Sequence, residues 1–365
     1  MASCYLESLN YVLASTVFQG VRSKLDTEVS LSGRNCLLIE ISGFLEHFIS
    51  FVSTIWDIFR AFSCPSADLF LLCKQRASLN LRTKLTEPAS LTNFILAEHT
   101  CKSIYAVDTM LEELNSLVFD DFSQFMSSIG TKLSVEGLLC GDLSREEADE
   151  VCEMISVIET SPLIASKDGR RDDIPLPDHD MNVCARKISD TNFVANVCYQ
   201  IGEKRHIAMD TALLRLFSSF IENDIVLKLR YQKNLGYAVS AQTDDEGKII
   251  YSFCVVSCDY NHEVLLANIE EYVRSVRLFL ESVDSSVFEK HKAGIQFFGE
   301  VESLWEQLSE EDRSDDFEMS VKNCMKDISK DDVIKFYTKW FLPPARPFAI
   351  CIWGCQFREE YWNSK

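Results

Sequence analysis

The chain has 365 residues, 47% of them hydrophobic and 25% charged, a supply of apolar side chains that builds sizeable cores and leaves little room for extended disorder. Against 36 basic side chains stand 56 acidic ones. The formal net charge of -20 repels phosphate backbones and anionic lipid surfaces, so neither nucleic acid nor membrane is an expected partner.

Met1 to Glu7 shows no basic region and no uninterrupted apolar run before its first charge, so no secretory signal is expected. From Asn35 to Gly43 an apolar run reads as a strand closed by glycine. Phe44, Phe48, Phe51, Val52, Ile55, Ile58 and Phe62 then recur at helical spacing. Glu46, His47, Asp57 and Arg60 interrupt that stretch and spoil it as a membrane span. Further helices are predicted over about 66–82, 89–99, 106–117 and 119–129. A second strand, Val135 to Asp142, precedes a helix beginning near Ser144, with Glu146 and Glu147 near its positive N-terminal end.

Residues 161–182 hold three prolines, a glycine and a dense charge run without apolar period, the best linker candidate in the chain. Beyond it the pattern predicts a strand over about Asn192 to Gln200 and a helix over about Met209 to Arg230. Two strand-like runs follow, Gly236 to Gln242 and Ile249 to Cys258, joined by Asp244-Asp245-Glu246-Gly247 as an antiparallel hairpin. Three or four helices come next. Ser286 to Glu289 has capping-box spacing, and Ser329 with Asp332 opens a helix through Val333, Phe336, Tyr337 and Trp340. Pro343, Pro344 and Pro347 stop that helix before a final strand, Phe348 to Trp353.

This order predicts an α+β fold of two tandem copies of one domain type, each a mostly antiparallel sheet with helices packed on one face. The first copy, residues 1–160, is expected to be incomplete, lacking its opening strand and helix. Residues 161–182 form the linker and 183–365 the second copy.

The segment Leu229-Arg230-Tyr231-Gln232-Lys233-Asn234-Leu235-Gly236-Tyr237 resembles the L-R-x(5)-L-G-Y signature in the last domain of the pitrilysin and insulin-degrading enzyme family of zinc metallopeptidases. Ser286 to Lys292 and Ile328 to Tyr337 match that domain in kind, in family order and spacing. Residues 1–160 resemble the family's third domain more loosely, through Leu139-Cys140-Gly141-Asp142-Leu143 and the strand ending at Gly43. The resemblance implies that Arg230 and Tyr237 reach the substrate main chain near the scissile bond. A guanidinium and a phenol can donate to a peptide carbonyl and stabilise charge developing on it. Gly236 would permit a backbone geometry that a side chain would hinder. The segment departs from the usual one at Tyr231, where a threonine is common, and at Lys233, where an acid is usual.

The family also requires an H-x-x-E-H zinc helix, and the sequence has none. Gly43-Phe44-Leu45-Glu46-His47 comes near it, but glycine cannot bind zinc and one histidine beside an acid lacks the paired imidazoles that hold the ion. His99, His179, His206, His262 and His291 share no ligand spacing, and no C-x-x-C occurs. The 14 cysteines, as in Asn196-Val197-Cys198-Tyr199, read as small buried hydrophobes of a reducing, cytoplasmic protein, Cys254 and Cys258 among them. The acidic runs Glu146 to Glu150 and Glu310 to Asp316 read as solvated faces.

Two functions stay open at this point. One is the non-catalytic C-terminal half of such a peptidase, binding peptide substrate through Arg230, Gly236 and Tyr237, with zinc held only by an N-terminal partner half. The other is a stand-alone inactive homologue that binds peptides or scaffolds an assembly.

Overall fold

Two strands of the sequence, Phe193–Gln200 and Ile250–Ser257, are buried at nearly every position rather than at every second one. A strand of that kind belongs to a sheet covered on both faces. The structure, a computed structural model, describes residues 1–31, 37–100, 105–129, 135, 137–156, 181–186, 191–201, 208–244, 249–295 and 317–353. The chain divides into two compact units that interleave in sequence: Met1–Thr83 with Tyr105–Arg171, and Lys84–Ile104 with Asp172–Lys365. Residues 84–104 fall on the first side of the boundary expected from sequence, yet they pack in the second unit. Of the expected linker, residues 161–180 lie outside the described residues, and Met181 and Asn182 open a strand.

The first unit begins with helix α1 (Ala2–Arg22), then the antiparallel hairpin β1 (Leu25–Leu31) and β2 (Leu37–Gly43), registered Leu25 to Gly43. The expectation that this copy lacks its opening helix is corrected here. In α1, Tyr5, Leu9 and Leu13 fall at the spacing of one helical stripe and are buried. A single 3-10 turn, Leu45–His47, leads into α2 (Phe48–Ala61), followed by α3 (Ala67–Thr86). Helix α4 (Pro88–Thr100) belongs to the second unit. Helices α5 (Val107–Ser116), α6 (Phe119–Ile129) and α7 (Arg145–Ser156) complete the first. Leu9, Leu13, Leu25, Ile55, Phe70 and Phe122 form its core. The indole of Trp56 donates to the Met154 carbonyl at 2.8 Å and ties α2 to α7. The strand expected over Val135 to Asp142 is not one: residues 137–142 have no ladder partner and are exposed or half-exposed. Apolar content does not make a strand where no neighbour offers hydrogen bonds.

The second unit is built on a five-stranded sheet of order β3-β7-β4-β6-β5. Its strands are β3 (Met181–Arg186), β4 (Phe193–Gln200), β5 (Ala238–Asp244), β6 (Ile250–Ser257) and β7 (Phe348–Trp353). All pairs are antiparallel except β3 with β7. On one face lie α8 (Ala208–Ile225), α9 (His262–Ser282), α10 (Ser285–Gly294), α11 (Phe317–Asp327) and α12 (Lys330–Phe341). Phe193, Ala195, Val197 and Tyr199 of β4 face that side, where Phe217 and Phe341 stack at 4.7 Å. The alternate residues Val194 and Cys198 face Leu91, Ile95 and Leu96 of α4. The helix donated by the first half of the sequence thus covers the second face, and this explains the unbroken apolar runs.

The hairpin β5–β6 pairs Ala238 with Val256 through Asp244 with Ile250, and turn residues 245–248 lie outside the described residues. Ser329 and Asp332 make the reciprocal capping box that their spacing predicts. Ser286 does not cap: α10 takes Asp284 as its N-cap residue, and Ser286 falls inside the helix. Spacing alone cannot fix which of three successive polar residues, Asp284, Ser285 and Ser286, starts a helix.

Candidate functional site

Helix α8 does not end where its apolar stripe does. It runs on into a π-helical turn, Val226–Gln232, in which the Lys233 amide donates to the Lys228 carbonyl at 3.0 Å, five residues back. Such wide turns are uncommon and gather at functional sites. The Leu235 amide then donates to the Leu229 carbonyl at 3.0 Å, and both leucines are buried. Between these anchors the chain loops out and reverses at Asn234, whose φ is +52°. Arg230 and Tyr231 are exposed on the loop, with the Arg230 guanidinium 5.6 Å from the Tyr231 ring centre.

Gly236 follows, against the sheet. A Cβ built there would lie 2.2 Å from the Val256 carbonyl oxygen, so only glycine lets the backbone approach β6 this closely. The approach allows the Tyr237 amide to donate to that same oxygen at 3.1 Å. Tyr237 is 49% exposed, at the head of edge strand β5. Of the sequence-predicted residues, Arg230 therefore stands inside the closed loop, and Gly236 and Tyr237 follow directly after its end, on the sheet.

The π-helical turn is held against α9. Asp224, almost buried at the end of α8, accepts from the Tyr272 hydroxyl at 2.9 Å and lies 2.9 Å from the Lys228 ammonium. Lys228 also sits 4.8 Å from the Phe279 ring centre and 5.5 Å from that of Tyr272. Burial first, and then the Asp224 charge, push the Tyr272 phenol far above its ordinary value, so it acts as a fixed donor. Lys233 donates to Asn268 at 2.8 Å and to Glu271 at 2.7 Å. Sequence reading missed this set. Its one sequence signal is an acid and a lysine four apart on a helix. The cleft beside it, lined by Gln232, Glu271 and Ser275 among others, has about 110 Å³. Ligand pockets start at about 300 Å³, so the loop offers a surface and not a small-molecule cavity.

Among the described residues, no three His, Cys, Asp or Glu side chains converge as metal ligands. Glu46 and His47 lie exposed on their 3-10 turn, and the described donors do not form a zinc site. His99 bonds the Ile95 carbonyl at 2.8 Å and rests on Phe348. Burial holds the His262 imidazole below its ordinary value. Ser219 and His291 meet at 3.3 Å, but the Ser219 hydroxyl donates to the Leu216 carbonyl at 2.8 Å and is no nucleophile. His179 and His206 lie outside the described residues. Of the cysteines, Cys4, Cys73, Cys198, Cys254 and Cys351 are buried as expected, whereas Cys140, Cys152 and Cys258 are exposed. Cys258 lies just past the end of β6, where the sheet no longer covers it.

No protein-family model matches the chain. A nardilysin-like protein of Arabidopsis thaliana is 27% identical over 375 residues, covering 97% of this chain and 36% of its own length. Human insulin-degrading enzyme is 22% identical over 249 residues, 63% of this chain and 24% of its own. The crystal structure of pitrilysin superposes with a TM-score of 0.78 at 13% identity, over 99% of this chain and 39% of that one. These likenesses support the resemblance of the chain to the pitrilysin and insulin-degrading enzyme family. The chain spans about a third of the length of the nardilysin-like relative. A peptidase M16 inactive domain from Pseudomonas fluorescens has the same fold, with a TM-score of 0.69 at 12% identity over 98% of this chain and 90% of that one.

Proposed function

We propose that this chain is the non-catalytic C-terminal half of a pitrilysin-type metallopeptidase, which closes the chamber and grips the substrate main chain through Arg230 and Tyr237. The supporting observation is the closed loop Leu229 to Leu235. It presents an exposed guanidinium, and the exposed Tyr237 follows two residues past its end, at the head of edge strand β5, which has one unpaired side among the described residues. Two donors and an open strand edge suit an extended peptide, whose carbonyls need partners. Zinc and the general base would come from an N-terminal half of the same or another chain, because the sequence has no H-x-x-E-H helix and no metal-ligand group is found among the described residues.

The test is peptide hydrolysis with zinc present, by the chain alone and mixed with a zinc-bearing N-terminal half. Activity only in the mixture, falling about a hundredfold in an Arg230→Ala, Tyr237→Phe double variant, is expected for the loss of two transition-state donors. Equal activity with and without this chain would sink the proposal.

A second reading has its own support. The Pseudomonas fluorescens protein named an inactive domain matches this chain over nearly its full length. A stand-alone, inactive, peptide-binding homologue is therefore the alternative. It predicts peptide affinity in the isolated chain and no activity in any mixture.

A further inference from the structure

We infer that Asp224 is a positioning residue: through Lys228 and Tyr272 it fixes the rotation of the π-helical turn and so holds Arg230 outward. The inference rests on the reading of Arg230 as a peptide contact and adds the device that aims it.

A nearly buried carboxylate survives in a fold only with partners, and Asp224 has two, at 2.9 Å each, from different elements. Tyr272 reaches it from α9, and Lys228 reaches it from the turn itself. Lys228 is thereby committed toward α9, its ammonium between Asp224 and the Phe279 ring. Residues two apart in a helical turn point to roughly opposite sides, so turning Lys228 inward turns Arg230 outward, where it is found exposed. Without the carboxylate, Lys228 loses its ion pair and keeps only the weaker ring contacts to Phe279 and Tyr272. The five-residue bond from Lys233 to the Lys228 carbonyl then competes with ordinary helical winding, and a wound turn would rotate Arg230 away from Tyr237.

The test uses the full 365-residue chain. Amide hydrogen exchange is followed at Lys233 and Leu235 and, as a reference for the sheet, at Phe253 and Val255. Binding of a fluorescein-labelled, uncharged, unstructured peptide is measured alongside. In Asp224→Asn, exchange at Lys233 and Leu235 should rise at least about tenfold, with the sheet amides unchanged and peptide Kd weakened about tenfold, the scale of one charged hydrogen bond. Tyr272→Phe keeps the ring and should show the same pattern more weakly. Arg230→Ala should weaken binding alone, leaving exchange unmoved. Unchanged exchange at Lys233 and Leu235 in Asp224→Asn overturns the inference. So does equal acceleration at the sheet amides in both variants, which would mark a general structural role. Accelerated turn exchange with unchanged Kd also overturns it, by cutting the link to Arg230. Absence of peptide binding by the unmodified chain refutes the peptide reading instead, while the exchange data still decide what Asp224 does to the turn.

Discussion

The Leu235 amide and the Leu229 carbonyl meet at 3.0 Å, and both side chains are buried beside that bond. The bond closes a loop around Arg230 and leaves one residue, Gly236, between its end and Tyr237. Backbone closure with two leucine anchors is what makes a six-residue separation in sequence a local geometry.

Gly236→Ala should be strongly destabilising. The added methyl would sit 2.2 Å from the Val256 carbonyl oxygen and 3.2 Å from Val255 Cγ1, so β6 or the loop must shift. A loss of about 2–4 kcal/mol in urea unfolding is expected, the range for overpacking combined with a broken backbone pair. Gly294→Ala is the control: nothing lies within 4 Å of a Cβ there, and the change should be neutral or slightly stabilising.

Leu96 tests the interleaving of the units. It is buried against β4, β6 and β7, and Leu96→Ala should cost about 2–4 kcal/mol. Hydrogen exchange should accelerate at Val194, Cys198 and Cys254 while the β1–β2 amides stay as they were. The reverse pattern would show that α4 belongs with the first unit.

Asn196 lies on β4 opposite Cys254 and Ile350, and neither of its buried side-chain polar atoms has a hydrogen-bond partner among the described residues. Asn196→Val exchanges a costly buried amide for an apolar strand former of similar size. A gain of about 1–2 kcal/mol in stability is expected, read as a higher urea midpoint at constant slope.

Ser329 holds the Asp332 carboxyl below its ordinary 3.8, chiefly through its hydroxyl and then its backbone amide. A carboxyl lowered in the folded state adds stability above its unfolded value and loses it as pH falls through the folded one. Ser329→Ala should cost about 1 kcal/mol at neutral pH, and the gap between the two proteins should narrow as pH drops below about 4, leaving the part due to the Asp332 amide bond to the Ser329 hydroxyl. An NMR titration of Asp332 should show its pKa rising in the variant.

Burial pushes the Cys254 thiol up to about 12. With iodoacetamide at about pH 8, it should stay unmodified in the folded chain while exposed Cys140, Cys152 and Cys258 are alkylated, because the thiolate is the reacting form. Mass spectrometry after partial labelling gives the order.

Most elements were legible in the sequence. The helical repeat from Phe48 onward, the hairpin runs after Gly236 and the Ser329 capping box each rest on contacts within a few residues, and each is found. Tyr5, Leu9 and Leu13 could have revealed α1, since their spacing is helical, but no capping residue marks its start and Met1 makes no side-chain cap. Val135 to Asp142 shows the converse failure, a strand-like composition without a neighbour to pair with.

The candidate site divides the same way. The residue types Arg230, Gly236 and Tyr237, and the lack of a zinc-binding helix, are properties of the sequence alone, because a motif is a matter of identity and spacing. That α4 crosses to cover the second sheet face, that α8 widens into a π-helical turn, and that Asp224, Lys228 and Tyr272 meet were decided by tertiary structure. The packing of α4 and the meeting of Asp224 with Tyr272 bring residues more than 40 positions apart to van der Waals or hydrogen-bond distance, and only the packed fold, which weighs buried area and buried charge together, selects those encounters.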